Sequence, residues 1–192
     1  MLVLPEGAPV PMQQITAGQQ WLLVLGQHAA PLGIVMAKTD EMTLLRLPQQ
    51  QAPFMHASLA APLDGGPFTR VEGLSVSEPW GRWSDAKQVV FHFAQPLPRG
   101  LVVVLKARAF GINATLPFTL RVGDQATQFS AAPGFEQINL YLTTDGAQRS
   151  LSIEVPQPTS PEDIGMPGDP RKLGIGISEL SLRESRVPAP LP

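Results

Sequence analysis

The chain has 192 residues, 14 Lys and Arg against 16 Asp and Glu, a formal net charge of -2 and no cysteine. A pI near 5.9 gives no general electrostatic pull toward nucleic acid or an anionic membrane surface, and the lack of cysteine excludes disulfide scaffolds, thiolate metal sites and thiol nucleophiles. Apolar runs such as Trp21–Leu25 and Leu101–Leu105 are of strand length and too short to span a bilayer.

The length suits one main domain with a small appendage. Residues 1–9 lack the basic start and long apolar stretch of a secretory signal, so the expectation is a cytoplasmic protein or a piece of something larger. Trp21–Gly26, Leu32–Ala37 and Met42–Leu47 read as short strands of a small N-terminal β-meander. Pro48–Pro53 and Ala60–Pro67 have the composition of loop or linker.

From Lys87 onward, period-2 alternation is readable residue by residue. Val89, Phe91 and Phe93 share one strand face, and Val90 and His92 the other. Leu101–Phe110 starts apolar on both faces and then alternates, as a central strand leaving the core does. Pro117–Asp124 puts Phe118, Leu120 and Val122 inward and turns through Gly-Asp into Gln125–Ala131. Phe135, Ile138, Leu140 and Leu142 mark a further strand, then Leu151, Ile153 and Val155, and finally Leu173–Leu182. These elements predict an all-β fold: a two-sheet antiparallel sandwich, jelly-roll-like, with alternate side chains filling the space between the sheets. The predicted division is 1–66 for the β-meander and linker, 67–186 for the sandwich and 187–192 for a proline-rich tail.

Catalytic signatures do not emerge. Gly73-Leu-Ser-Val-Ser77 lacks the closing glycine and strand-to-helix setting of a nucleophile elbow. Gly174-Ile-Gly176 lies inside a strand pattern instead of opening a helix. His28, His56 and His92 stand singly, without zinc-binding spacing. Glu72, Glu78 and Asp85 are close in sequence, yet nothing singles out a pair for glycoside chemistry. Glu162, Asp163 and Asp169 carry the charge calcium needs but match no EF-hand spacing. No catalytic residue, metal or cofactor is predicted.

Two stretches stand out. Glu78–Lys87 holds Trp80 and Trp83, two of the chain's three tryptophans. An indole buries a large apolar area, so corner packing is its ordinary role; the alternative is stacking on the apolar face of a pyranose, with Glu78, Arg82 or Asp85 reaching hydroxyls. Ser160–Gly174 is a long loop in which Asp169 and Arg171 either pin the backbone or offer a donor–acceptor fork to a sugar. A second patch comprises Asn139 and Tyr141 on one strand and Thr119 and Arg121 on another, which would form one polar, aromatic face were those strands neighbours.

The succession Glu72-Gly-Leu-Ser75, Glu78-Pro-Trp-Gly-Arg-Trp-Ser-Asp85, Pro96-Leu-Pro98, Ala109-Phe-Gly-Ile-Asn113, Pro158-Thr-Ser-Pro161, Gly165 and Asp169-Pro-Arg-Lys-Leu-Gly-Ile175 resembles a β-sandwich domain at the C-terminal end of bacterial envelope membrane proteins. These are known as phosphoglycerol transferases or as sugar transferases of polysaccharide assembly. The resemblance covers about residues 70–184. It implies a non-catalytic module on the periplasmic side of the inner membrane, attached to a membrane-embedded parent or partner protein that holds the activity. The expectation is therefore a carbohydrate-binding-like accessory domain serving envelope glycan or glucan modification, with no nucleic-acid partner and no membrane insertion by this chain. Trp80, Arg82 and Trp83 are its candidate contacts, helped by Asp85, Asn113, Asp169 and Arg171. The competing expectations are a structural domain that docks a protein partner, and an enzyme whose carboxylate pair only the fold brings together.

Overall fold

The computed structural model describes residues 2–4, 21–25, 34–38, 41–46, 49–64, 66–166 and 168–186. Gly26, His28, Leu32, Gly33, Leu47, Pro48 and the predicted tail 187–192 lie outside them. The first four strands, β1 (Leu2–Leu4), β2 (Trp21–Leu25), β3 (Ile34–Lys38) and β4 (Met42–Arg46), form a sheet in the order β1-β2-β4-β3. β1 runs parallel to β2 and the other pairs are antiparallel. The expected meander would have placed β3 between β2 and β4; here β4 takes the middle position.

The remaining strands make a sandwich of two antiparallel sheets, and the described residues contain only two short 3-10 turns, Gly111–Thr115 and Glu162–Ile164, besides strands and loops. One sheet has the order β12-β9-β14-β5, with β7 also pairing β14. Its members are β5 (Gln49–Ser58), β7 (Arg82–Trp83), β9 (Gly100–Ala109), β12 (Glu136–Thr143) and β14 (Ile175–Arg186). The second has the order β11-β10-β13-β8-β6, from β6 (Phe68–Glu72), β8 (Gln88–Phe93), β10 (Phe118–Val122), β11 (Gln125–Phe129) and β13 (Ser150–Glu154).

The alternation read from the sequence is the alternation of the core. Val89, Phe91 and Phe93 of β8, Phe118, Leu120 and Val122 of β10, and Leu151 and Ile153 of β13 face Leu101, Val103 and Leu105 of β9, Ile138, Leu140 and Leu142 of β12, and Leu180 and Leu182 of β14. Each such side chain contributes about 1.5–3 kcal/mol on burial. β9 lies between β12 and β14, and its first half is buried on both faces: Val102 and Val104, on the side away from the core, are buried as well.

Residues 49–53 are strand, where the composition reads as loop. β5 pairs with β14 from Ser58 to Gln49, and Met55, Ala57 and Leu59 enter the core. Pro53 lacks an amide hydrogen and would break a ladder in a central strand. On the edge strand it sits opposite Arg183, where the register shifts, and the pairing tolerates it.

Candidate functional site

The tryptophan stretch forms a tight corner between β6 and β8. Glu78 and Gly81 exchange backbone hydrogen bonds of 2.7 and 3.0 Å, and Leu74 bridges Ser84. Gly81 has φ of +148°, and a Cβ there would lie 2.2 Å from the Ile177 carbonyl oxygen, so the close approach of this corner to β14 requires glycine.

Trp83 is paired with Gly176 of β14, and Gly176 is in turn opposite Arg108 of β9. All three therefore share the face of the sheet that points away from the core. A Cβ at position 176 would meet the Trp83 ring at 2.9 Å and Trp80 at 3.0 Å: this glycine is the floor on which both indoles rest. Trp83 is 8% exposed and Trp80 is half-buried. Neither belongs to the sandwich core; they begin a separate aromatic cluster. Trp80 meets Trp83 edge to face at 5.2 Å and Phe135 at 5.3 Å, while Phe110 packs on Trp83 at 5.8 Å. The Arg108 guanidinium lies 4.3, 4.6 and 4.7 Å from the ring centres of Trp80, Trp83 and Phe135. Contacts of this kind contribute about 0.5–2 kcal/mol each.

The structure brings most of the polar candidates to the same corner and engages them within it. Arg82 donates to the backbone carbonyls of Leu59, Ser75 and Ala61. Trp80 Nε1 donates to one Glu78 oxygen at 2.7 Å, and Arg171 Nη1 to the other at 3.1 Å. Arg171 also forks onto Asp169, with Nη2 2.6 Å and Nε 2.9 Å from its oxygens. The Arg171 hydrogen bonds hold the Asp169 carboxyl below its ordinary value, and Asp169 reciprocally raises the guanidinium. Asp85 accepts the Lys172 backbone N–H at 3.1 Å. Asn113 is elsewhere and fully buried. Its amide donates to the carbonyls of Phe110 and Gln157 and accepts from Gln157 N–H, tying the 3-10 turn to the strand exit at Val155.

The carboxylates weighed for a catalytic pair are each engaged separately. Glu72 contacts Arg70 and His92, Glu78 contacts Trp80 and Arg171, and Asp85 caps Lys172. Asp163 is bound to Lys172 Nζ at 2.6 Å and Asp169 to Arg171. Among the described residues no group of three or more His, Asp or Glu is placed to hold a metal ion.

The second patch divides. Thr119 and Arg121 are on β10 and Asn139 and Tyr141 on β12, which belong to different sheets, so the single face expected of neighbouring strands does not exist. Asn139 and Tyr141 instead pair with Val104 and Val102 on the outer face that also carries Arg108. There a Lys106–Glu179 ion pair of 3.0 Å and a His56–Ser181 hydrogen bond of 2.8 Å continue a polar surface beyond the aromatic end. Beside Arg82 lies a groove of about 560 Å³ lined in part by Leu63, Asp64, Phe68, Arg70 and Ser77.

Arg108 and Phe135 complete the cluster and were not candidates in the sequence reading. Arg108 belongs to the alternating half of β9, where its position marks it only as outward-facing. Phe135 reads as one more inward residue, yet it precedes β12 and is 37% exposed. Only the pairing of β7 with β14, of β14 with β9 and of β9 with β12 brings them to the tryptophans.

Residues 49–184 match a family model described as a domain of unknown function, DUF7024. Over 114 residues the chain is 35% identical to phosphoglycerol transferase I of Salmonella typhi and of Salmonella typhimurium, covering 57% of this chain and 15% of each relative. The chain thus spans a small part of the curated relatives it matches. Among solved structures, a ruminal GH26 endo-beta-1,4-mannanase aligns over 74% of this chain and 27% of its own, with TM-score 0.42 and 10% identity. A mutant of a family 29 carbohydrate-binding module aligns over 68% and 91%, with TM-score 0.41 and 14% identity. A xylan-binding module aligns over 68% and 95%, with TM-score 0.39 and 12% identity. With the sandwich strands from β5 to β13 and all but the last two residues of β14 inside the matched span, the chain belongs to the DUF7024 family.

Proposed function

We propose that this domain is a non-catalytic carbohydrate-binding-like module, accessory to a membrane-bound transferase of envelope glycan or glucan modification and working on the periplasmic side of the inner membrane. The observation that carries the reading is the aromatic cluster on the outer face of the β12-β9-β14-β5 sheet, where half-buried Trp80 and partly exposed Phe135 flank a guanidinium. Aromatic rings presented beside a few fixed polar groups are what the apolar face and hydroxyl rim of a pyranose require. In this reading Trp80 is the principal contact. Trp83 supports it from beneath, and Arg82, Asp85, Asn113, Asp169 and Arg171 shape the corner and the loops around it. The partial match to phosphoglycerol transferase I supports placing the module within, or beside, a larger transferase.

Titration of the purified chain with neutral gluco-oligosaccharides, followed by tryptophan fluorescence and heat release, tests this. Trp80→Ala and Phe135→Ala are expected to weaken saturable binding at least ten-fold while a single cooperative melt is retained. A second reading, a structural domain that docks a protein partner, draws on the internal engagement of Arg82, Asp169 and Arg171. It takes over if no saccharide binds and the exposed ring at Phe135 proves necessary for retention of a partner.

A further inference from the structure

Resting on the saccharide-binding reading, we infer that Arg108 makes the outer-face site selective for saccharides bearing an anionic substituent, a carboxylate or a phosphate. Other arginines of the sandwich are given acceptors. Arg82 has three carbonyl acceptors, Arg121 has Glu154 at 2.6 Å, and Arg171 has Asp169 and Glu78. A guanidinium held for structure alone is ordinarily given acceptors, because its donors are costly to leave bare.

Arg108 has none among the described residues. Its Nε is buried without a hydrogen-bond partner, while the contacts that hold the group are with the rings of Trp80, Trp83 and Phe135. Rings fix the plane of the guanidinium without using its N–H fork, so the Nη donors are left without an acceptor among the described residues. The nearby carboxylates do not compete. Both Glu78 oxygens are bonded, to Trp80 and Arg171. Glu179 is paired with Lys106, and Glu136 accepts the Ala132 N–H from a position paired with core-facing Ala107. An acceptor carrying two oxygens and a negative charge satisfies such a fork bidentately, as a neutral hydroxyl does not.

The experiment compares three probes on the intact chain by calorimetry: a neutral gluco-oligosaccharide, the same backbone with a glucuronate unit, and the same backbone with a phosphate monoester. One or both anionic probes are expected to bind at least ten-fold more tightly than the neutral one, and which does so separates carboxylate from phosphate as the natural group. The preference is expected to shrink in 0.5 M salt, where the screening length falls to about 3–5 Å. Arg108→Gln is expected to abolish the preference, weakening the anionic probes far more than the neutral one. Arg108→Lys, which keeps a cation over the rings, is expected to reduce the preference several-fold by losing the fork, and it keeps the comparison available if the glutamine variant folds poorly. Equal affinity for charged and neutral probes, or an unchanged preference in Arg108→Lys, overturns the inference and leaves the saccharide reading standing. Absence of binding to all three probes overturns both.

Discussion

At the scale of single residues, the corner depends on two absences of a side chain. Gly81 lets the turn approach β14, and Gly176 lets two indoles lie on the strand. Gly176→Ala is expected to cost about 1–3 kcal/mol, the range for inserting a methyl group into packed surroundings. Because the displaced atoms are those of Trp80 and Trp83, the loss should appear as a lowered melting midpoint together with a shifted tryptophan emission. A shift in emission without loss of stability would mean that the rings move aside freely. The tryptophans themselves were visible as candidates in the sequence. Arg108 was not: an arginine on the outward face of a strand has the same local signature whether it meets water or three rings. Asn113 shows the converse, since a polar residue in a loop-like stretch is here fully buried and bonded to the main chain.

At the scale of the element, the long connection before β14 is held by ion pairs as well as by the Thr159–Leu173 backbone bridge and the buried side chain of Leu173. Asp163, half-exposed, is bonded to Lys172 and to Ser160, and these lower its carboxyl to about 2 from the ordinary 3.8. Asp169 is lowered in the same direction, first by its hydrogen bonds to Arg171. A carboxyl whose folded value is depressed contributes its stabilisation above the unfolded value, near pH 4, and loses it as pH falls toward the folded value near 2. Amide exchange at Ser160 and Arg171, whose N–H groups are bonded to Asp163 and Asp169, is therefore expected, relative to the intrinsic rate at each pH, to accelerate between about pH 4 and 2, while β9 and β14 remain protected. In Asp163→Asn the acceleration at Ser160 should already be present at neutral pH. A wild-type protection factor at these amides that is flat across this window would show that the pairs do not order the loop.

At the scale of the whole molecule, β5 sets the boundary of the sandwich. It supplies Met55 and Ala57, with Leu59 immediately after it, to the core and covers the edge of β14. A chain shortened to begin at residue 49 is expected to keep a single cooperative melt. One beginning at residue 67 should lose it, since β14 is left with a long unpaired edge and the core with a gap. A cooperative melt in the shorter chain would restore the boundary that composition suggests. Most strands from β8 to β14 were legible because they alternate at period 2, a local property that one buried face imposes on consecutive residues, and β9 because its first half is a continuous apolar run of strand length. β5 was illegible because glutamines and prolines mask the pattern, and an edge strand tolerates both. Thus the sequence by itself determined the all-β class, most of the core and the tryptophan corner, all of which depend on residues near one another in the chain. Only the tertiary structure decided which strands share a sheet. It separated Tyr141 from Arg121 and set Arg108, Phe135 and Trp80 side by side, because hydrogen-bonded pairing between distant strands leaves no mark on local periodicity.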